Sequence, residues 1–172
     1  MIIAVWGFTG SGKNTLGELI AKKLGYKMVD PTFKDLAAKE GISLMEFQKN
    51  AAADHNIDKK FDELLKEQVR AAGNNCVVTT WLGPWMVDAN VRIKLNVPLE
   101  IRAERVARRD KMTVAEAKKH VAERDKQNIK RYYDVYKIDI TDDSKFDLQL
   151  QGGKSKPEEL LVQAMKVIEK KK

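Results

Sequence analysis

The chain has 172 residues, of which 43% are hydrophobic, a length that supports one well-cored domain and leaves little room for a second. The formal net charge of +7 at pH 7 does not indicate a dedicated nucleic-acid partner, because part of the excess lies in a C-terminal lysine tail. No apolar run approaches the roughly 20 residues of a membrane span, and the chain starts with a predicted core strand instead of a charged leader, so we expect a soluble, cytoplasmic protein without a membrane partner.

The first predicted elements are a strand, a glycine-rich turn and a helix. Residues 1–6 form a continuous apolar run, rich in β-branched side chains, that predicts a strand buried on both faces of a parallel sheet. Leucine and isoleucine then recur at helical spacing over residues 16–24, and Gly25 predicts the end of the helix. Between these elements, residues 7–14 fit the phosphate-loop pattern GxxxxGK[ST] at every position but the last. A strand, a turn and a helix in this order are the context that the motif requires.

The phosphate-loop residues have the chemistry that binds a nucleoside triphosphate. Glycines allow the backbone to turn its N–H groups toward phosphate oxygens, and the helix that starts near Lys13 adds the positive end of its dipole. The Lys13 ammonium suits the β- and γ-phosphates, where charge builds up during transfer. The predicted donor site consists of Gly7, Thr9, Gly10, Ser11, Gly12, Lys13, Asn14 and Thr15.

Asn14 stands where a serine or threonine hydroxyl usually coordinates Mg²⁺ in this motif. An amide oxygen is a less common ligand, and Thr15 offers a hydroxyl one position later. We therefore predict that Thr15 contacts the metal and that phosphates and water supply most of the ligands, as Mg²⁺ tolerates.

The rest of the chain continues to alternate strands and helices, which predicts an α/β fold. Further strands are predicted at residues 27–29, where Asp30 and Pro31 follow, and at 76–80, 91–95 and 147–150. Helices are predicted at residues 58–72, from Pro98 onward as first helical residue, at 113–133 with a capping box of Thr113 and Glu116, and at 157–169. The single cysteine, Cys76, opens a strand, so we expect a buried, inert thiol and no disulfide within the chain.

A helical stretch is predicted between the second and third strands. Ser43 and Glu46 form a capping box at the head of one helix. The apolar residues that support this stretch are Phe33, Leu36, Ala37, Leu44 and Phe47.

Two sets of polar residues share predicted helix faces. They are Arg102, Arg105 and Arg109 on one helix, and His120, Arg124, Asn128 and Arg131 on the next. A phosphoryl-transfer enzyme needs forked, permanently charged donors around the migrating group. An ordinary solvated helix face is the competing interpretation for any single arginine, and His120 is expected at the surface.

The ordered series of motifs resembles the small archaeal-type cytidylate kinases, which are P-loop nucleoside monophosphate (NMP) kinases. Besides the phosphate loop, the likeness lies in residues 41–47, 56–58, 83–89, 98–105, 124–132 and 136–140. It implies phosphoryl transfer from ATP, with Mg²⁺, to a nucleoside monophosphate, with CMP or dCMP as the nearest acceptor. The implied partners are small-molecule nucleotides, and a monomer or a homodimer is expected.

The resemblance also implies a three-layer P-loop NMP-kinase-like fold with a five-stranded parallel sheet, all within one domain over residues 1–172. The implied core comprises residues 1–30, 73–107 and 138–172. A helical NMP-binding subdomain would cover about 31–72 and a mobile lid about 108–131. Closure of the lid and the subdomain would expel water, so that transfer is favoured over hydrolysis.

The resemblance further implies which side chains contact the substrates. The implied catalytic residues, which contact phosphates of the donor or the acceptor, are Lys13, Arg105, Arg109, Arg124 and Arg131. Asp125 is implied to orient neighbouring arginines or to help bind the acceptor. Lys34 and Trp81 occupy positions of the implied acceptor site.

The acceptor half departs from the family pattern in two places. The family usually has Ser-x-Gly before an arginine at the start of the NMP subdomain. This chain lacks Ser-x-Gly there, and Lys34 keeps the positive charge without the forked hydrogen-bond donors of a guanidinium group. After the third strand the family usually has Glu-Gly-Arg, and this chain has Thr79, Thr80 and Trp81. Trp81 either stacks on a base or fills space. These departures leave two alternatives: a kinase with a changed acceptor, such as another NMP or a nucleoside, and a non-catalytic nucleotide-binding protein.

Overall fold

The computed structural model describes residues 1–43, 46–47, 56–73 and 75–172. Its strands are β1 (Ile2–Trp6), β2 (Lys27–Val29), β3 (Cys76–Val78), β4 (Val91–Asn96) and β5 (Leu148–Gln151). They form a five-stranded sheet in the order β2-β3-β1-β4-β5, and each neighbouring pair is parallel. The prediction of an α/β fold around a five-stranded parallel sheet is therefore confirmed.

The helices of the described residues alternate with these strands. They are α1 (Lys13–Leu24), α2 (Phe33–Glu40), α3 (Ile57–Ala72), α4 (Gly83–Met86), α5 (Leu99–Asp110), α6 (Val114–Tyr136) and α7 (Pro157–Lys170), with a 3₁₀ turn at Asp143–Lys145. None of these helices is long and apolar enough to cross a membrane.

Local sequence signals place most helix starts, with one correction. Thr113 and Glu116 form the predicted capping box of α6. Pro98 was predicted as the first residue of its helix, but it is the N-cap of α5, because its ψ of 147° is extended. Glu46 donates its backbone N–H to the Ser43 hydroxyl at 3.2 Å, as a capping box requires. Leu44, which was predicted to support the same stretch, lies outside the described residues.

The sheet has a hydrophobic layer on each face. On one face, α1 and α7 pack against β1 through a cluster that includes Ile3, Val5, Ile20 and Ile168. On the other face, Leu65 of α3 belongs to a cluster with Ala4, Val29 and Val78. Because β1 is covered on both faces, its continuous apolar run is explained, and residues 3–6 are fully buried.

Two smaller clusters lie beside the sheet. One joins α2 to α3 and consists of Leu36, Ala37, Phe47, Ile57 and Leu64. The other joins α5 to α6 and consists of Ala103, Val106, Ala107, Ala117 and Val121. These clusters fall respectively within the predicted NMP-binding subdomain and across the start of the predicted lid, whose limits remain predictions.

The topology gathers several loops at the carboxyl edge of the sheet. The phosphate loop follows β1, Asp30 follows β2, and Thr79, Thr80 and Trp81 follow β3. In open parallel sheets, ligands bind in the crevice outside these strand ends, next to the point where the strand order reverses. Here β1 lies between β3 and β4, so the phosphate loop leaves the sheet at that point.

Candidate functional site

A large cavity opens at the carboxyl edge of the sheet. Its volume is about 780 Å³, which is within the range of small-molecule sites. The phosphate loop forms its floor, the segments after β2 and β3 form one side, and α3, α5 and α6 contribute the remaining walls. The cavity is therefore bounded by the segments that the sequence assigned to substrate binding, although Lys34 of α2 is not among its lining residues.

The phosphate loop has a backbone shape that depends on glycine. Gly10 and Gly12 have φ angles of 78° and 89°, which L side chains rarely adopt. A Cβ atom at Gly10 would also lie 2.8 Å from the carbonyl oxygen of Arg102. Gly12 is the N-cap of α1, it offers no side-chain cap, and no acid stands in the first turn. The amides at the start of α1 thus remain suited to an anion such as a phosphate.

The phosphate loop is fastened from behind by a buried ion pair. Arg102 of α5 and Asp125 of α6 lie 2.6 Å apart, and each is only 7% exposed. Asp125 accepts a hydrogen bond from the Thr9 backbone N–H at 3.3 Å, and Arg102 donates to the Thr9 carbonyl oxygen at 3.0 Å. Arg105 adds a hydrogen bond to the Ser11 carbonyl oxygen at 2.8 Å. Because these side chains bond to the loop backbone, α5 and α6 determine the shape of the loop.

Lys13 is largely buried among charged side chains of both signs. Burial lowers the pKa of Lys13, Asp30 and Asp125 oppose this shift, and Arg124 and Arg109 add to it. The Lys13 ammonium lies 5.5 Å from the centroid of the Trp81 ring, close enough for a cation–π contact. A phosphate group bound here would stabilise the charged form of Lys13.

The Asp30 carboxylate faces the same point from the end of β2. The Asn14 side-chain amide donates to Asp30 Oδ2 at 2.6 Å. Burial raises the pKa of Asp30, whereas Lys13 and the Asn14 hydrogen bond lower it. Asp30 was not among the site residues predicted from the sequence, although its position directly after a parallel strand was the available signal.

The structure brings all five implied catalytic side chains to one cavity. They are Lys13, Arg105, Arg109, Arg124 and Arg131. Arg109 makes two hydrogen bonds of 2.7 Å to the neighbouring Asp110, and Arg131 pairs with Asp58 of α3 at 3.0 Å. The arginines therefore come from two helices, and Arg131 reaches across to a third. Thr9, Gly10, Gly12, Asn14 and Thr15 also line the cavity.

Other sequence-selected residues are not at the cavity surface. Lys34 was expected at the acceptor site, but its side chain is exposed on α2 and does not line the cavity. Asp125 was expected to orient an arginine or to help the acceptor, and it lies behind the phosphate loop in the ion pair with Arg102. Gly7 and Ser11 likewise lie behind the lining surface. His120 lies on a separate, shallow groove along α6.

Trp81 lines the cavity and is also part of an aromatic cluster. Its ring centroid lies 6.0 Å from Phe8, 6.1 Å from Trp6 and 6.4 Å from Tyr132. The Trp6 indole N–H donates to the Trp81 carbonyl oxygen at 3.0 Å. Trp81 therefore packs against three aromatic rings, and part of its side chain also lies at the cavity surface.

The wall formed by α3 carries two acidic residues that were not among the predicted site residues. Asp58 pairs with Arg131, and Asp62 accepts a hydrogen bond from the Tyr136 hydroxyl. Burial raises the pKa of Asp62 and, as the largest of several causes, raises the pKa of Tyr132 to about 12. Asp58 and Asp62 are one helical turn apart, so the i, i+4 spacing on α3 was the signal that could have marked them.

Buried hydroxyl groups near the loop are free for a ligand. Among the described residues, no hydrogen-bond partner reaches the hydroxyls of Thr9, Ser11, Thr79 or Thr80. Buried polar groups are nearly always paired in proteins. Unpaired hydroxyls on and beside a phosphate loop therefore fit a site that is completed by a polar ligand.

The residues at the loop also fit a magnesium-bound nucleotide. No group of three or more His, Cys, Asp or Glu side chains that could hold a metal occurs in the described ranges. Mg²⁺ does not need such a cage, because it usually binds through one or two protein groups, substrate phosphates and water. Asp30, Asn14 and Thr15 provide oxygen atoms at the cavity surface next to the loop.

Comparisons with known proteins agree with this geometry. The cytidylate kinase-like family matches residues 2–154. A cytidylate kinase of Pyrococcus abyssi is 43% identical over 162 residues, which cover 92% of this chain and 88% of that protein. A cytidylate kinase of Methanobrevibacter smithii is 32% identical and covers 98% of this chain and 100% of its own length. The crystal structure of the Aquifex aeolicus shikimate kinase has the same fold, with a TM-score of 0.59, 23% identity and coverage of 98% of this chain and 96% of that one.

Proposed function

The chain belongs to the cytidylate kinase-like family, and we propose that it transfers the γ-phosphoryl group of ATP to CMP or dCMP, which yields ADP and CDP or dCDP. The single observation that carries this proposal is the assembly of Lys13 and four arginines around one cavity above a phosphate loop. The matches to cytidylate kinases favour this acceptor over a nucleoside and over a non-catalytic binding protein.

The donor phosphates are proposed to bind at the loop and the start of α1. The amides at the start of α1 are suited to the same phosphate oxygens that Lys13 would neutralise, and the unpaired Thr9 hydroxyl lies on the same loop. Arg105 is well placed to hold this half of the site, because it joins the Ser11 and Gly153 carbonyl oxygens. A bound Mg²⁺ would supply positive charge against the donor phosphates, and Thr15 and Asp30 are the oxygen-bearing side chains at the cavity surface that would hold it.

The acceptor is proposed to bind between α3 and α6. Arg131 lies on this side, because it is paired with Asp58, and we propose that it exchanges this carboxylate for the acceptor phosphate. Arg124 lies near Lys13 and would face the migrating group from the donor side. The transition state carries negative charge on its equatorial oxygens, so fixed guanidinium groups on both sides stabilise it.

Water exclusion is proposed to come from movement of the helices that carry these groups. The α2–α3 cluster and the cluster at the start of α6 lie beside the sheet, and we propose that these parts move, while Leu65 and Asp125 keep α3 and the middle of α6 attached to the sheet and the loop. Their approach would enclose both nucleotides and favour transfer to the acceptor over transfer to water.

A coupled assay of ADP formation tests the proposal on CMP, dCMP, UMP, AMP, GMP and cytidine. We expect CMP or dCMP to give the highest kcat/KM. Lys13→Ala should lower it by at least about a hundredfold, because one preorganised charge contact in a transition state contributes on the order of 10²–10³ in rate.

Lys22→Ala is the matched control, since it makes the same change on an exposed position of α1. Turnover of cytidine but of no monophosphate would contradict the proposed acceptor. If the protein binds ATP tightly but forms no ADP above background with any of these acceptors, the kinase activity itself is contradicted.

A further inference from the structure

Asp30 is placed to meet the donor nucleotide rather than to serve the fold. It follows β2 directly, and its Oδ2 atom accepts the 2.6 Å hydrogen bond from the side chain of Asn14, the second residue of α1. Its carboxylate is half-buried and lines the cavity together with Lys13 and Thr15.

A carboxylate in this position opposes a bound triphosphate unless a cation lies between them. Lys13 is the cation that faces Asp30, but its place on the phosphate loop suits it to the phosphates themselves. Arg124 and Arg109 add positive charge on the α5–α6 side of Lys13, whereas Asp30 comes from the sheet edge. The negative charge of Asp30 is therefore matched if the nucleotide arrives with a divalent cation.

The neighbouring groups are those of a partial oxygen site. The residues after β3 supply Thr79 and Thr80, whose buried hydroxyls have no hydrogen-bond partner among the described residues. The Thr79 hydroxyl lies near the Asp30 carboxylate without reaching hydrogen-bond geometry. A cation with its water shell needs such acceptors, and Mg²⁺ in particular keeps several of its waters.

Asn14 has a different part in this arrangement. Its amide nitrogen is directed to Asp30, and this hydrogen bond fixes the carboxylate against the first turn of α1. Groups that orient a metal-binding carboxylate in this way typically change metal affinity when they are removed.

We propose that Asp30 is the protein carboxylate that holds the divalent cation of the donor nucleotide, and that Asn14 orients Asp30 instead of taking the place of a serine or threonine ligand. The inference deepens the proposed function, because it rests on a nucleoside triphosphate as the donor. It does not depend on the identity of the acceptor.

The test measures binding, not turnover. The dissociation constant of a non-hydrolysable ATP analogue is measured by calorimetry with Mg²⁺ and with EDTA, for the unmodified protein, Asp30→Asn and Asp88→Asn. The ratio of the two constants gives the coupling between metal and nucleotide. Asp88 is the matched control, since it is exposed and lies next to Asn90, which bonds to the start of β1 at the opposite edge of the sheet.

We expect Mg²⁺ to tighten analogue binding in the unmodified protein and in Asp88→Asn. In Asp30→Asn this enhancement should fall about tenfold, a typical size for such coupling. Metal-free binding should stay equal or become tighter, because a repulsive charge is gone. If Asp30→Asn keeps the enhancement within about twofold, or if the unmodified protein shows none, the proposal is wrong.

Asn14→Ala and Asp30→Glu provide an independent route if Asp30→Asn folds poorly in a thermal unfolding control. Each of these variants should retain part of the tightening of analogue binding by Mg²⁺, because the carboxylate remains but is displaced. An unchanged enhancement in both variants overturns the proposal. Because no acceptor is present, failure of the CMP assay and failure of this binding test are separate results.

Discussion

At the scale of single residues, the cavity holds charges that are unfavourable in the free protein. Burial lowers the pKa of Lys13 and raises the pKa of Asp30, so the surroundings disfavour the charged form of each. Neither shift is offset fully by the contact between the two residues. Perturbed groups of this kind are concentrated at functional sites, where ligand binding and not fold stability maintains them.

Asp30→Asn should raise the free energy of unfolding of the ligand-free protein at pH 7. The folded-state pKa of Asp30 is raised, so its ionised form destabilises the fold above that pKa, and the neutral amide removes this effect. The difference between the two proteins should shrink as the pH falls toward 3.8, the ordinary pKa of an aspartate, because both side chains are then neutral. Urea unfolding at a series of pH values measures this difference in the free energy of unfolding. If Asp30→Asn is less stable than the unmodified protein at pH 7, ionised Asp30 does not destabilise the fold.

Trp81→Arg should destabilise the protein and should not improve CMP binding. Trp81 packs against Phe8, Trp6 and Tyr132, and a guanidinium there would lie near the Lys13 ammonium. We expect a loss of about 2 kcal/mol in the free energy of unfolding, as for other charges placed in apolar surroundings. Trp81→Phe is the control that keeps an aromatic ring. A lower KM for CMP in Trp81→Arg would show instead that the tryptophan occupies the place of a phosphate clamp.

At the scale of elements, the phosphate loop depends on helices far from it in sequence. Arg102 of α5 and Asp125 of α6 both bond to the backbone of Thr9. Arg102 also donates to the Val97 carbonyl oxygen at 3.0 Å, so it links the end of β4 to the loop. The ion pair is satisfied by several hydrogen bonds, which is the condition under which buried charges are retained.

Arg102→Met should lower the free energy of unfolding by about 3–5 kcal/mol, because it leaves Asp125 buried without its cation. Nucleotide affinity should fall as well, since the loop loses one of its supports. Chemical denaturation and calorimetry measure the two effects. Arg108→Met makes the same change at an exposed position of α5 and should stay within about 0.5 kcal/mol of the unmodified protein.

At the scale of the whole molecule, α6 connects the two halves of the cavity. Near its middle, Asp125 bonds to the phosphate loop, and toward its end Arg131 and Tyr136 bond to Asp58 and Asp62 of α3. The helix is 23 residues long and spans both regions without a break. A nucleotide that displaces Asp58 from Arg131 would therefore change how α3 and α6 are held together.

Arg131→Met should raise the KM for CMP about tenfold or more and leave the affinity for the ATP analogue within about twofold, because a charge-assisted contact with the acceptor phosphate is worth about 1.5–3 kcal/mol. Steady-state kinetics and calorimetry separate these effects. Lys130→Met, an exposed change at the adjacent residue, should alter neither constant. Weaker binding of the ATP analogue with an unchanged KM for CMP would place Arg131 at the donor instead, and equal weakening of both nucleotides would contradict a role specific to the acceptor.

The sequence by itself determined the features that depend on neighbours along the chain. Residues a few positions apart determine the phosphate loop, the five strands and the Thr113–Glu116 capping box. Their patterns can therefore be recognised in the sequence alone. The short helix α4 and the 3₁₀ turn were missed, because elements of three or four residues have no readable period. The kinase activity could be predicted from the family motifs for the same reason, since each motif is a short local segment.

Only the tertiary structure decided which charged groups meet. The arginines of α5 look alike in sequence, yet Arg102 is buried under the loop while Arg105 and Arg109 line the cavity. The bond from Thr9 to Asp125 joins residues 116 positions apart, and neither residue carries a local sign of the other. Asp30 gained its role in the same way, because the parallel sheet sets the end of β2 beside the start of α1. Periodicity fixes which face a side chain is on, but the packing of distant elements fixes what that face touches.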